Sequence, residues 1–139
     1  MQPLYNLYDR EVLEGELEST CIAHGIGAIP FYALSSGFLS GKYRSPADAS
    51  RRARGDAVVA RYLNPRGLCM LAALDRVADD ARAASPAQVA IAWQLATPAD
   101  TAPTSSATSL AQLQQLGAAA RIELDAEEAH LLEEASELG

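Results

Sequence analysis

Cysteine is scarce in this chain, and the two present, Cys21 and Cys69, form no C-x-x-C pair. His24 and His130 are equally isolated, so neither a zinc site nor a facial triad has ligands at workable spacing. Two scattered cysteines are expected as buried, reduced thiols of a cytosolic protein. Lysine is scarcer still: Lys42 is alone. The formal net charge of -7 argues against a nucleic-acid or anionic-membrane partner, because both reward a basic surface. The run Arg51-Arg52-Ala53-Arg54 is expected to be a solvated face. No apolar run approaches the ~18 residues of a membrane helix, and the start MQPLYNLYDR lacks the regions of a signal peptide. A soluble, cytoplasmic protein is expected.

What is present suits one domain over residues 1–139, with 49% apolar residues to fill a core. Residues 3–8 are short, apolar and aromatic, as a buried strand is. Residues 11–24 switch to helical spacing, with Leu13, Leu17 and Cys21 on one face and Gly25 and Gly27 closing the end. Residues 28–34 predict a second strand, although Pro30 suits a central strand poorly. A long polar connection follows, with a short helix expected near 57–62. Leu71, Leu74, Ala78 and Ala81 mark the next helix. Ser85-Pro86-Ala87-Gln88 is a capping-box start to another, whose buried face is Val89, Ala92, Trp93 and Ala96. Residues 101–105 are a third, small and polar, strand candidate. Ser109 to Gln112 and Asp125 to Glu128 open two final helices, the first with Leu110 and Leu113 inside, the second with Leu131, Leu132, Ala135 and Leu138. Strands alternating with helices predict an α/β fold with parallel pairing and right-handed crossovers. Three strands are few for such a sheet, so the elements look like part of something larger.

The stretch FYALSSGFLSGKYR, residues 31–44, ends the second strand candidate. It fails the Walker A test, since Ser36 stands at the first glycine position and Tyr43 follows Lys42. No G-x-G-x-x-G fingerprint exists either. Two readings stay open for such a Ser/Gly segment: a plain surface turn, or backbone N–H groups shaped to receive an anionic ligand. The 105–109 stretch, SSATS, repeats the arrangement after the third strand candidate and ends at a helix N-terminus. Together the two loops point to phosphate or dinucleotide binding.

The residues QPLYNL (2–7), GIGAIPFYAL (25–34), SGFLSGKY (36–43), SPAQVAIAW (85–93) and the 102–113 segment closely resemble the aldo-keto reductase family, in order and through nearly the whole chain. That family is a (β/α)8 TIM barrel that reduces aldehydes and ketones to alcohols with NADPH. The resemblance implies an α/β partial barrel: strands six to eight with their helices, the long loop after strand seven and the C-terminal helix. It implies NADP(H) as cofactor. Gln2 matches the amide that bonds the nicotinamide carboxamide, and Phe31 the aromatic that stacks on the ring. Leu34, Ser36, Gly37 and Leu39 match the loop along the pyrophosphate, with Lys42 closing its Gly-Lys pair. Ser106, Ala107, Thr108 and Ser109 match the loop near the adenosine ribose and 2′-phosphate, and Gln112 and Gln115 the helix positions at the adenosine end.

The chain departs from the pattern at Pro103-Thr104-Ser105-Ser106, where an apolar pair and Gly are usual, and at Leu116, where the family commonly has an Asn amide. By the same resemblance the catalytic Tyr, Lys, Asp and His stand on earlier strands, so no catalytic residue is assigned here. Tyr5 and Tyr8 have no lysine nearby in sequence, and Lys42 has a loop role. Two functions are therefore expected: the cofactor-binding part of an NADPH-dependent oxidoreductase, completed by an N-terminal fragment that brings the small carbonyl substrate's site, or a truncated, non-catalytic paralogue acting as an oligomeric or nucleotide-binding scaffold. A small anion-binding module is the third reading. No metal is expected.

Overall fold

The segments expected as strands carry Pro3, Pro30 and Pro103, one each, and a proline brings no N–H to a ladder. In the computed structural model, which describes residues 1–51, 55–79, 84–99 and 102–137, they lie side by side without becoming regular strands. The single bridge among the described residues is parallel, from Leu4 to Phe31. Around it the N–H of Ile29 donates to Met1 O at 2.7 Å, that of Phe31 to Pro3 O at 3.0 Å, and that of Thr104 to Pro30 O at 2.8 Å. A parallel ladder would take its return bond to Ile29 O from residue 3, which is proline.

Each segment is also cut short. Asn6 Oδ1 accepts the N–H groups of Tyr8 at 2.8 Å and Asp9 at 2.9 Å, turning the chain into a side-chain-closed bend. Tyr32, at φ 61°, ends the second segment. Strands are thus corrected to three extended segments, the first two parallel and the third joined to the second by the Thr104 bond; position 101 of the third candidate lies outside the described residues. The side-chain alternation of a strand survives all the same. Pro3, Tyr5, Ala28 and Pro30 are buried, while Gln2, Ile29, Phe31 and Thr104 are exposed on the other face.

The described residues hold helices α1 (Glu16–His24), α2 (Gly55–Tyr62), α3 (Pro65–Asp79), α4 (Pro86–Leu95), α5 (Leu110–Ala119) and α6 (Ala126–Glu137). The stretch 11–15, expected as helix, forms turns, and α1 starts only after Gly15 at φ 95°. Its buried stripe is as the spacing predicts: Leu13 and Cys21 are buried, Leu17 half-buried. Gly25, at φ 63°, ends α1, its N–H on Ile22 O and that of Ile26 on Cys21 O. Ser85 and Gln88 complete the reciprocal capping box of α4. Asp125 and Glu128 exchange the same pair of bonds ahead of α6.

Leu71, Leu74, Val77 and Ala78 of α3, Val89 and Trp93 of α4, and Leu132 of α6 meet Tyr5, Leu7 and Leu13 in one core. The Trp93 ring stacks on Tyr5 with centroids 5.6 Å apart, and the Arg10 guanidinium lies 5.5 Å from the indole. Three expectations fail. Ala96 is exposed, and so is Cys69, unlike the buried Cys21. Leu110 and Leu113 are 70% and 59% exposed, because α5 packs through its C-terminal half, where Leu116 and Ala119 lie near Ile91 and Gln88 Nε2 donates to Gln115 O at 3.0 Å. Ala81 and Leu138 lie outside the described residues. No helix among those described is long and apolar enough to cross a membrane.

Candidate functional site

The 31–44 stretch folds as an unusual concentration of left-handed backbone. Ser35, Ser36, Gly37 and Gly41 have φ of 49°, 56°, 89° and 77°. For the serines this geometry costs about 1–3 kcal/mol each, so the surroundings must hold it. Asn6 Nδ2 donates to Tyr32 O at 3.1 Å, and Gln94 Nε2, from the buried face of α4, donates to Ala33 O at 2.7 Å. Within the turn, the N–H of Gly37 donates to Leu34 O at 2.8 Å and Ser40 Oγ to Gly37 O at 2.7 Å. Phe38 and Leu39 are fully buried and pin the turn to the core; Phe38 stacks on Tyr62, centroids 5.4 Å apart. The Leu39 side chain therefore faces the core, and only its main chain can meet a ligand.

The two cations after the turn have different tasks. Arg44 makes a bidentate pair with Asp75 of α3, at 2.6 and 2.8 Å, and its Nε donates to Gly41 O at 2.8 Å. That partner raises the guanidinium's pKa further. Lys42 instead folds back over Gly37, where a β-carbon would stand 2.3 Å from Nζ. The ammonium also lies 5.4 Å from the Tyr43 ring. Half-buried Ser36 and Gly37 and the exposed Lys42 thus meet on a pinned turn. The N–H groups of Ser35, Gly37, Leu39 and Gly41 are given to carbonyls of the segment itself, so an anionic oxygen would be met chiefly by side chains.

The Leu4–Phe31 bridge pairs the two segments that carry Gln2 and Phe31, both exposed, and Phe31 stands four residues before the first left-handed serine of the turn. Phe31 is 39% exposed, its ring tilted against Tyr32 with centroids 5.2 Å apart. The helix after the second loop packs near the first: Leu34, and Leu116 of α5, both touch the small cluster of Ala33, Ile91 and Ala119. Leu116, at the position where the resemblance expects an amide, is half-buried packing. Ser106, Thr108, Ser109, Gln112 and Gln115 are exposed, Ala107 partly so. Ser109 caps α5 through Gln112 N–H at 3.2 Å, but the Gln112 side chain turns to Thr108 rather than back to Ser109.

Sequence reasoning missed Asn6, Gln94 and the Arg44–Asp75 pair, which hold the turn in place. Arg44 stood in the quoted stretch; nothing near it pointed to a partner on α3. The buried phenols serve the fold. Tyr62 donates to Asp9 Oδ2 at 3.1 Å, and burial, with the Asp9 carboxylate next, pushes its pKa up to about 12. Tyr5 donates to Glu14 Oε1 at 3.0 Å and is pushed further up, chiefly by burial.

A profile of the Aldo/keto reductase family matches residues 1–137. The chain belongs to that family. The L-glyceraldehyde 3-phosphate reductase of Escherichia coli (strain K12) is 35% identical over 99 residues, 68% of this chain and 28% of that protein. A probable voltage-gated potassium channel subunit beta of Arabidopsis thaliana is 32% identical over 118 residues, 82% of this chain and 36% of that one. The chain thus spans about a third of the length of these curated relatives. Among solved structures, a thermostable aldo-keto reductase in complex with the inhibitor epalrestat superposes with a TM-score of 0.66 at 24% identity. The match covers 96% of this chain and 38% of that one, so the chain shares its fold with part of that aldo-keto reductase. The family is one of oxidoreductases that generally use NAD(P)H.

Proposed function

We propose that this chain is the dinucleotide-binding part of a cytoplasmic aldo-keto reductase, corresponding to barrel strands six to eight, their helices, the loop after strand seven and the C-terminal helix. The carrying observation is the left-handed Ser36–Gly37 turn with Lys42 folded over Gly37; the reading is supported by the Leu4–Phe31 parallel bridge, which pairs the segments carrying the exposed Gln2 and Phe31. In the proposed roles Phe31 stacks on the nicotinamide and Gln2 bonds its carboxamide. Ser36, Gly37 and Lys42, with the main chain of Leu34 and Leu39, take the pyrophosphate. Ser106, Ala107, Thr108, Ser109, Gln112 and Gln115 border the adenosine end.

The bound dinucleotide would supply a hydride to a carbonyl carbon. The proton for the resulting alkoxide needs a positioned acid, typically worth about 10²–10⁴-fold. Tyr5 and Tyr62 give their hydroxyl protons to Glu14 and Asp9. This favours an acid supplied by a complementing N-terminal barrel part, so the chain alone would bind cofactor without reducing carbonyls. A second reading, an oligomeric scaffold without catalysis, is favoured by the exposed Leu110 and Leu113 on α5. The test is a reduced-dinucleotide titration of the chain, followed by a carbonyl-reduction assay with and without a complementing barrel fragment. Binding alone with activity only on complementation supports the first reading. Self-association without nucleotide binding supports the second.

A further inference from the structure

We propose that Asp9 is a positioning residue for dinucleotide binding, its one carboxylate holding both ends of segment 32–38; this rests on the dinucleotide reading above. The bend at 6–9 brings Asp9 into place. Asn6 Oδ1 accepts the N–H groups of Tyr8 and Asp9, and the N–H of Asn6 donates to Asp9 O at 3.2 Å. The two side chains are thereby turned onto each other, and Asn6 Nδ2 donates to Asp9 Oδ2 at 3.2 Å. With its second hydrogen the same Nδ2 donates to Tyr32 O at 3.1 Å, at the residue after Phe31. The other support comes from α2. Tyr62 donates to the same Asp9 oxygen at 3.1 Å and lays its ring on Phe38, centroids 5.4 Å apart. Arg61 donates to the remaining oxygen, Oδ1, at 2.8 Å.

The segment between these supports needs holding. Tyr32, Ser35 and Ser36 stand at φ of 61°, 49° and 56°, a region that persists for such residues only where the surroundings over-determine it. Asn6 takes hold at Tyr32 and Tyr62 at Phe38, so the strained residues lie between two anchors that meet at one carboxylate. The Asp9 side chain is 14% exposed against 57% for Arg61, so the bonds from Asn6 and Tyr62 are made largely out of water. Losing that acceptor frees both anchors at once. Gln94, bonded to Ala33 O, and the buried Phe38 and Leu39 would still keep the segment on the core. The turn would be loosened rather than detached. A turn that leaves its competent geometry part of the time binds its ligand more weakly in that proportion.

The test joins amide NMR of the free chain to calorimetric titration with NADH and NADPH, on wild type, Asp9→Leu, Asp9→Asn, Tyr62→Phe and Arg61→Ala. Asp9→Leu keeps the shape and removes the acceptor. It is expected to move the amides of Tyr32, Ser36 and Gly37 and to weaken binding about tenfold, the size of one charge-assisted bond. Asp9→Asn keeps one oxygen for both anchors and is expected to fall between Asp9→Leu and wild type. Arg61→Ala leaves both anchors and is expected to match wild type, since an exposed ion pair contributes little. Tyr62→Phe keeps its ring on Phe38, yet is expected to move the Tyr32 amide through the shared carboxylate; it decides the point should Asp9→Leu not fold. A Tyr32 amide unmoved in every folded variant of Asp9 and Tyr62, or Asp9→Asn no better than Asp9→Leu, overturns the proposal and leaves the dinucleotide reading intact. Wild type binding neither nucleotide overturns that reading and this role in binding with it.

Discussion

Lys42 lies so close over Gly37 that a β-carbon at position 37 would stand 2.3 Å from its Nζ and 2.5 Å from its Cε. The ammonium therefore uses space that only glycine leaves, and φ of +89° adds strain for any other residue. Gly37→Ala is expected to displace Lys42 from the turn and cost about 1–2 kcal/mol. Urea unfolding checks the stability, and a nucleotide titration checks the accompanying loss of affinity.

Gly67 is restricted by packing instead. A β-carbon there would meet Tyr62 O at 1.9 Å and Phe38 Cζ at 2.9 Å, so backbone must move. Gly67→Ala is expected to cost about 2–3 kcal/mol. Gly117, within α5, has nothing within 4 Å of its would-be β-carbon. Gly117→Ala should accordingly stabilise the chain by about 0.5–1 kcal/mol through helix propensity. Opposite shifts of the two urea midpoints are the readout.

Tyr62 makes stability fall in alkali. Its folded pKa is pushed up to about 12, mainly by burial, against about 10 when unfolded. The phenol's contribution is thus complete below pH 10 and is lost as pH rises from there through about 12. Unfolding midpoints followed across that window should drop in wild type and drop less in Tyr62→Phe. Equal slopes would remove Tyr62 as a cause.

Phe31 separates binding from folding. Its ring is 39% exposed, so Phe31→Ala should change stability by less than about 1 kcal/mol. Loss of an aromatic stacking pair, about 0.5–1.5 kcal/mol, should weaken dinucleotide binding roughly 3- to 10-fold. Phe31→Tyr retains the π-face and should restore affinity. A paired melt and titration on both variants decides it.

The helices were legible because their ends are written locally: Ser85 with Gln88, Asp125 with Glu128, and Gly25 past α1 are short-range chemistry. The strands were legible only as alternation. Pro3, Pro30 and Pro103 remove ladder donors, and the Asn6 side chain turns the chain before a ladder can extend. The Ser/Gly turn was legible as a turn from Ser36 to Lys42. Its supports, Asn6, Gln94 and Asp75, come from distant parts of the chain and left no local pattern. Leu110 and Leu113 misled for a similar reason, since helical spacing cannot tell how far a neighbouring helix reaches.

The most direct test is an NMR titration of the chain with NADH, following backbone amides. The account predicts that Gln2, Phe31, Ser36, Gly37 and Lys42 shift together along one saturating curve, with Thr108 and Gln112 following at the adenosine end. Saturation with those amides unmoved, or shifts gathered instead around residues 11–20, would contradict it.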